Sequence, residues 1–233
     1  MKINKAFKLM LSAILSFTFI ASPIKANDNI VLELLSFKIE TNYKIDDVEV
    51  VYEEDIENNK YSVSVIEKET GLVLESYSEK PSIPLSQVKA INDGTILTRA
   101  SSTYTTTLDT TQVITRYENY VIEAYAWAEV EVTADFSWRQ VNKVNKCGHQ
   151  AGGSGPYTLS PANTYVANTT FPVTNTLRLG INGIVESSKT TGGSFGWSFN
   201  IFKEMGFTMT GSSSTNWYAR KPYNTVASII VMR

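Results

Sequence analysis

The chain has 233 residues, with 21 basic and 23 acidic side chains, a formal net charge of −2, 42% apolar residues and 19% charged ones. That balance excludes a highly charged disordered chain and a coiled coil, and the length allows one sizeable core or two small ones. One Cys and one His exclude an intramolecular disulfide framework and any zinc site built on the usual Cys/His spacings.

Residues 1–26 read as a secretory signal peptide. Lys2, Lys5 and Lys8 supply a positive n-region, Leu9 to Ala21 an apolar h-region, Pro23 breaks the run, and Ala26 is a small residue before the cut. The apolar run falls short of the roughly 20 residues of a membrane span, so a secreted protein is the expectation. Short β-rich runs follow at Val31 to Ile39, Val48 to Tyr52, Tyr61 to Ile66 and Leu72 to Tyr77, with Asn58-Asn59 and Thr70-Gly71 as hairpin turns. They suggest a small meander packing as its own module. Ser82 to Ser102 then reads as a linker, because Pro81 and Pro84 interrupt regular structure and Asn92-Asp93-Gly94 signals a turn. Within it, Arg99 and Ala100 mark the candidate processing point. Arg116 and the charge change near Asp135 are alternatives, and an uncut structural linker is an equal reading.

From Tyr120 the alternation is nearly strict. Tyr120, Ile122, Ala124, Ala126, Ala128, Val130, Val132, Ala134, Phe136 and Trp138 share one face, and Glu123, Glu129, Glu131, Thr133, Asp135 and Ser137 the other. A straight strand of that length would span about 60 Å, so it must bend, bulge or turn. A second run places Phe195, Trp197, Phe199, Ile201, Met205, Phe207 and Met209 on one face, with Phe202 and Lys203 as exceptions. A third places Val173, Leu177, Leu179, Ile181 and Val185 together, and Thr225 to Val231 is the last strand. The fold class is all-β: residues 100–233 form an antiparallel β-sandwich or meander, preceded by a small β-rich prosegment over 27–99. A membrane-crossing strand needs only about 9–11 residues with one apolar face, so these segments also suit refolding into a bilayer as an oligomeric barrel.

Charge divides the chain. Residues 27–90 carry −8, residues 91–135 carry −5 and residues 136–233 carry +7. Two domains can simply differ in composition. Behind a signal peptide, the functional reading is an acidic prosegment that covers a basic effector and is removed by a processing protease. An exported cation would meet the anionic envelope or membrane of target bacteria, and no nucleic-acid recognition module is visible. The side chains best suited to that contact are Trp138, Lys143, Lys146, Trp197, Trp217, Arg220 and Lys221.

Catalytic chemistry is hard to place. Cys147-Gly148-His149 puts a thiol and an imidazole two residues apart, yet no acidic partner lies nearby in sequence, and an incidental loop histidine explains the triplet as well. Nothing marks Glu186 and Glu204, or Glu123, Glu129 and Glu131, as a hydrolytic carboxylate pair. There is no phosphate loop, nucleophile elbow or calcium loop. The expectation is a non-enzyme with no cofactor and no bound metal.

A signal peptide, an acidic prosegment and a basic, aromatic, Gly/Ser/Thr-rich β part together resemble the large secreted bacteriocin precursors of Gram-positive bacteria. The resemblance spans the whole chain and is one of layout, without a diagnostic motif. It implies a C-terminal fragment that kills related bacteria after proteolytic release, and it assigns no individual residue. The alternative is an exported β-sandwich binding module, an adhesin or carbohydrate-binding domain that uses exposed Trp and Tyr.

Overall fold

The computed structural model describes residues 29–95, 101–153, 155–189, 197–213 and 216–232, so the expected signal peptide and the candidate cut at Arg99 and Ala100 lie outside the described residues. The described chain is all-β, two six-stranded antiparallel sheets packed face to face, as the alternation requires.

The first half supplies β1 (Val31–Glu33), β2 (Phe37–Glu40), β3 (Val48–Asp55), β4 (Lys60–Glu67) and β5 (Val73–Pro81). The expected single run over residues 31–39 is a pair of strands, because the chain folds back at Leu34, whose N–H donates to the Phe37 carbonyl at 2.8 Å. Both expected turns are present, with Asn59 at φ 54° and Gly71 at φ 70°, the left-handed backbone that tight hairpins use.

The linker reading needs correction. Leu85–Asn92 forms a helix, α1, because Leu85, Val88 and Ile91 recur at helical spacing and bury one face. Asn59 holds its start from across the hairpin: the side-chain carbonyl accepts the Leu85 N–H at 2.9 Å, while the amide donates to the Pro81 and Ile83 carbonyls. Gly94, at φ 65°, carries the chain away after the helix, as the Asn-Asp-Gly signal predicts.

The second half contributes β6 (Ser102–Tyr117), β7 (Tyr120–Ala134), β8 (Arg139–Ala151), β9 (Thr158–Val166), β10 (Thr176–Lys189), α2 (Phe199–Glu204), β11 (Thr208–Ser213) and β12 (Asn216–Val231). On β7 every even residue from Ile122 to Ala134 is fully buried. The alternation ends there, since a turn at Asp135 turns Phe136 and Trp138 outward instead of continuing the apolar face. The second run is also corrected. Residues 199–204 are helical, and Phe202, the exception to alternation, is the fully buried side chain. The third run holds, with Val173, Leu177, Leu179, Ile181 and Val185 all buried.

The two sheets differ in route. In the meander sheet the order is β3-β4-β5-β6-β7-β8. In the second, here the returning sheet, it is β1-β2-β12-β10-β9, with β11 pairing β12. Each sheet therefore takes strands from both halves of the chain. β3 to β5, expected as a separate module, continue directly into β6 to β8. Along one edge Val141 of β8 and Val173 exchange backbone hydrogen bonds of 2.8 Å and join the sheets.

One core fills most of the interface, from Leu32, Phe37 and Val65 through Ala128 and Val130 to Leu179 and Ile229. A second, aromatic core lies under α2 and gathers Ile122, Tyr157, Val185, Phe202, Met205, Phe207, Trp217 and Ala219. It sits at the Tyr120 end of β7, about 45 Å by strand rise from the Ala134 end.

Candidate functional site

The seven side chains expected at a surface separate into two groups at opposite ends of β7. Trp138, Lys143 and Lys146 lie on or just ahead of β8, while Trp217 belongs to the aromatic core, Trp197 packs against it, and Arg220 and Lys221 follow Trp217 on β12.

The β7–β8 turn is built by one carboxylate. Asp135 Oδ1 accepts the Ser137 N–H at 2.6 Å, the Ser137 hydroxyl at 2.8 Å and the Trp138 N–H at 2.9 Å, and the Asp135 N–H donates to the Trp138 carbonyl at 3.0 Å. These hydrogen bonds hold the Asp135 carboxyl below the usual carboxylate range, against the opposing effect of partial burial. The turn is thus fixed by its own side chain, and two aromatics project from it: Phe136 is 73% exposed and Trp138 37%. Phe136 was not among the expected contacts, although alternation put it on the same face as Trp138, which was. Asp followed by Ser two residues on is the Asx-turn signal that would have ended the strand at Ala134.

Beyond the turn, bulges in β8 keep its cations on the outer face. Lys143 stands opposite Glu131, with Nζ 3.2 Å from Oε2, and Lys146 stands opposite Glu129. Both lysines remain exposed. Trp127, on the same outer face, packs directly over Gly148, where an added Cβ would sit 2.7 Å from three ring atoms. Beside it the Tyr125 hydroxyl donates to Asp109 Oδ1 at 2.7 Å.

The second group is mostly engaged inside the protein. Trp217 is only 4% exposed and stacks 5.0 Å from Phe202, so the expectation of a contact residue fails there: its strand position faces the aromatic core. Trp197 is half-buried against Tyr120, Phe202 and Tyr157, with ring centroids 5.2, 5.5 and 6.0 Å away. Arg220 is exposed but tied down. Its Nε donates to the Tyr218 hydroxyl at 3.0 Å and lies 3.0 Å from Glu186 Oε1, with the guanidinium 4.6 Å above the Tyr218 ring. Lys221 pairs with Val185 on the inward face, which corrects its expected role. Its Nζ donates to the Met205 carbonyl at 2.5 Å and the Thr115 hydroxyl at 3.1 Å, and burial pushes its pKa down.

Arg116, the alternative processing point, is paired within the β6–β7 ladder and makes two 2.6 Å hydrogen bonds to Glu67. Those bonds hold the Glu67 carboxyl down at about 2. The thiol and imidazole of Cys147 and His149 both turn toward Thr164 of β9. His149 Nδ1 is 2.6 Å from the Thr164 hydroxyl, and Cys147 Sγ lies 3.9 Å from its carbonyl oxygen. Among the described residues no group of three or more His, Cys, Asp or Glu side chains could hold a metal ion, and no helix is long and apolar enough to cross a membrane.

Compared with known protein families, curated proteins and solved structures, the chain matches none.

Proposed function

We propose that the protein is a secreted antibacterial precursor whose cationic C-terminal part acts on the envelope of competing bacteria without catalysis. The observation that carries this reading is the β7–β8 turn, where Phe136 and Trp138 project from a backbone fixed by Asp135 and run into a strand bearing exposed Lys143 and Lys146. Aromatic rings partition to the headgroup level of a bilayer, and lysines beside them are attracted by anionic lipid. The +7 charge over residues 136–233 gives the same sign over a longer range. β6, β7, β10 and β12 each exceed the about 9–11 residues that a crossing strand needs, which suits later insertion as an oligomer.

The test is sedimentation of the protein with vesicles of phosphatidylglycerol and phosphatidylcholine, alongside growth inhibition of a panel of Gram-positive strains. Binding should follow the anionic fraction and weaken as salt shortens the Debye length. Phe136→Ser with Trp138→Ser should lower it at least several-fold. Equal binding to neutral vesicles, or undiminished binding in 1 M salt, overturns the electrostatic step. Cys147→Ala and His149→Ala should leave inhibition unchanged; its loss in a folded protein would favour a thiol enzyme.

A second reading has one observation of its own. Trp127 packed over Gly148, with Tyr125 and Asp109 beside it, forms an aromatic platform on an otherwise threonine-rich sheet face. A glycan-binding module would use such a platform. In that case Trp127→Ala abolishes retention on a cell-wall polysaccharide, while Phe136→Ser has no effect on any binding.

A further inference from the structure

A removable prosegment implies that cutting the chain frees the effector, and the strand order bears directly on that step. The candidate cut falls between Thr95 and Ser101. On the N-terminal side of it, β5 pairs with β6 over seven registers, from Glu75↔Gln112 to Pro81↔Thr106, and β2 pairs with the end of β12 over Phe37 to Ile39. Residues before the cut therefore occupy an edge of a long strand in both sheets.

Side chains on the two sides interlock as well. Phe37, Val63, Val65, Val88 and Ile91 belong to the same buried cluster as Val130 and Leu179. At its margin lies a polar knot with almost no access to water. Glu79, fully buried, accepts the Ser36 N–H at 2.9 Å and, from across the cut, the Thr106 hydroxyl at 3.5 Å. Ser36 Oγ lies 2.6 Å from the Tyr104 hydroxyl, and the buried Arg139 guanidinium donates to Asn92 of α1. Separating the pieces breaks the Thr106–Glu79, Ser36–Tyr104 and Arg139–Asn92 pairs, while the Ser36–Glu79 bond stays within the N-terminal piece. Charge contributes little to the hold. Of the ion pairs among the described residues, only Arg116–Glu67 joins the two sides.

From this arrangement we infer that the segment ending near Thr95 is an inhibitory subunit rather than a detachable leader: a cut in residues 96–100 leaves a two-piece complex, held by strand pairing and a shared core, that separates only on unfolding. This rests on the precursor reading above. Salt should not part the pieces, despite their opposite charges. When they do part, the edges of β6 and β12 are bared together, and both invite pairing with another strand.

The experiment replaces residues 96–100 of the full chain with the recognition sequence of a site-specific protease and cuts it to completion, as checked on a denaturing gel. Size exclusion then follows in 0.1 M and in 1 M NaCl. Both fragments should co-elute at the intact mass in both buffers and separate only in urea that unfolds the uncut protein. A C-terminal fragment eluting alone after the cut overturns the inference, and separation in 1 M salt alone does so by assigning the hold to charge. Growth inhibition is scored separately on the cut complex and on fragments parted in urea and refolded. Inhibition by the cut complex itself overturns the inhibitory role. If neither sample inhibits any strain while the fragments still co-elute, the antibacterial reading fails and the two-piece complex stands.

Discussion

β3 to β8 lie side by side in the order in which they are made, whereas in the returning sheet Ile39 pairs with Ile229. The meander sheet is set by local devices: Asn59 and Gly71 at its first turns, and Glu118, at φ 51°, between β6 and β7. The returning sheet has no such turn at its β2–β12 junction and depends on side chains that fit. Turn chemistry can register a sheet from short-range sequence, while a sheet closed by distant strands is registered by its core.

The sharpest test of that contrast is Phe37→Ala. Phe37 is fully buried where β2 meets β12, and its truncation should cost about 3–5 kcal/mol in urea unfolding. Leu108→Ala, equally buried in the middle of the meander, should cost about 2–5 kcal/mol but leave the β6–β7 ladder protected from hydrogen exchange. A loss of β6–β7 protection no smaller than that of β2–β12 would sink the distinction. Next in size, Gly148→Ala should destabilise by about 1–3 kcal/mol, because the new methyl meets the Trp127 ring. Adding Trp127→Ala should cost less than the two single changes summed; strict additivity would mean that the contact is not what Gly148 protects.

pH separates two acids of opposite sign. Burial raises the Glu79 pKa, so the folded state holds that proton more tightly than the unfolded chain. Its contribution is most favourable below the ordinary carboxylate range and declines as pH rises through the folded value. Hydrogen bonds from Arg116 depress Glu67 from 4.5 to about 2, so its contribution is complete above 4.5 and lost as pH falls toward 2. In urea titrations from pH 2 to 8, Glu79→Gln should remove part of the decline at rising pH, and Glu67→Gln part of the loss in acid. The reverse assignment would contradict the burial of Glu79. Smallest of all, Phe136→Ser should change stability by no more than about 0.5 kcal/mol, since the ring projects into water.

Much of this architecture was legible in the sequence. The alternation from Ile122 to Ala134 and from Leu177 to Val185 became buried faces, because a strand half in water needs only period two. Two stretches were misread for a physical reason. Over 199–204 the apolar side chains also fit a helical period, which a short window does not separate from alternation, and Phe202 was the residue that could have decided it. Residues 85–92 were read as a linker from Pro81, Pro84 and the Asn-Asp-Gly turn, although Leu85, Val88 and Ile91 stand at helical spacing. Of the candidate contacts, Lys143 and Lys146 were found exposed on the surface. Trp217 and Lys221 were not, and composition says nothing of which face of a strand meets the core. The knot around Glu79 was invisible in the sequence, where that residue counted as one acid among many.

Pairing of β2 with β12 also fixes an order of assembly. As the chain grows from its N-terminus, the meander sheet can complete once β8 has been made, but β1 and β2 must wait for the last strand. Until Ile229 to Val231 arrive, β2 has no strand of its own sheet but β1 to pair with, and every unfinished chain offers that open edge and the apolar side chains Leu32, Phe37 and Ile39 to its neighbours. A truncation that removes only Ile229 to Arg233 therefore never ends that interval.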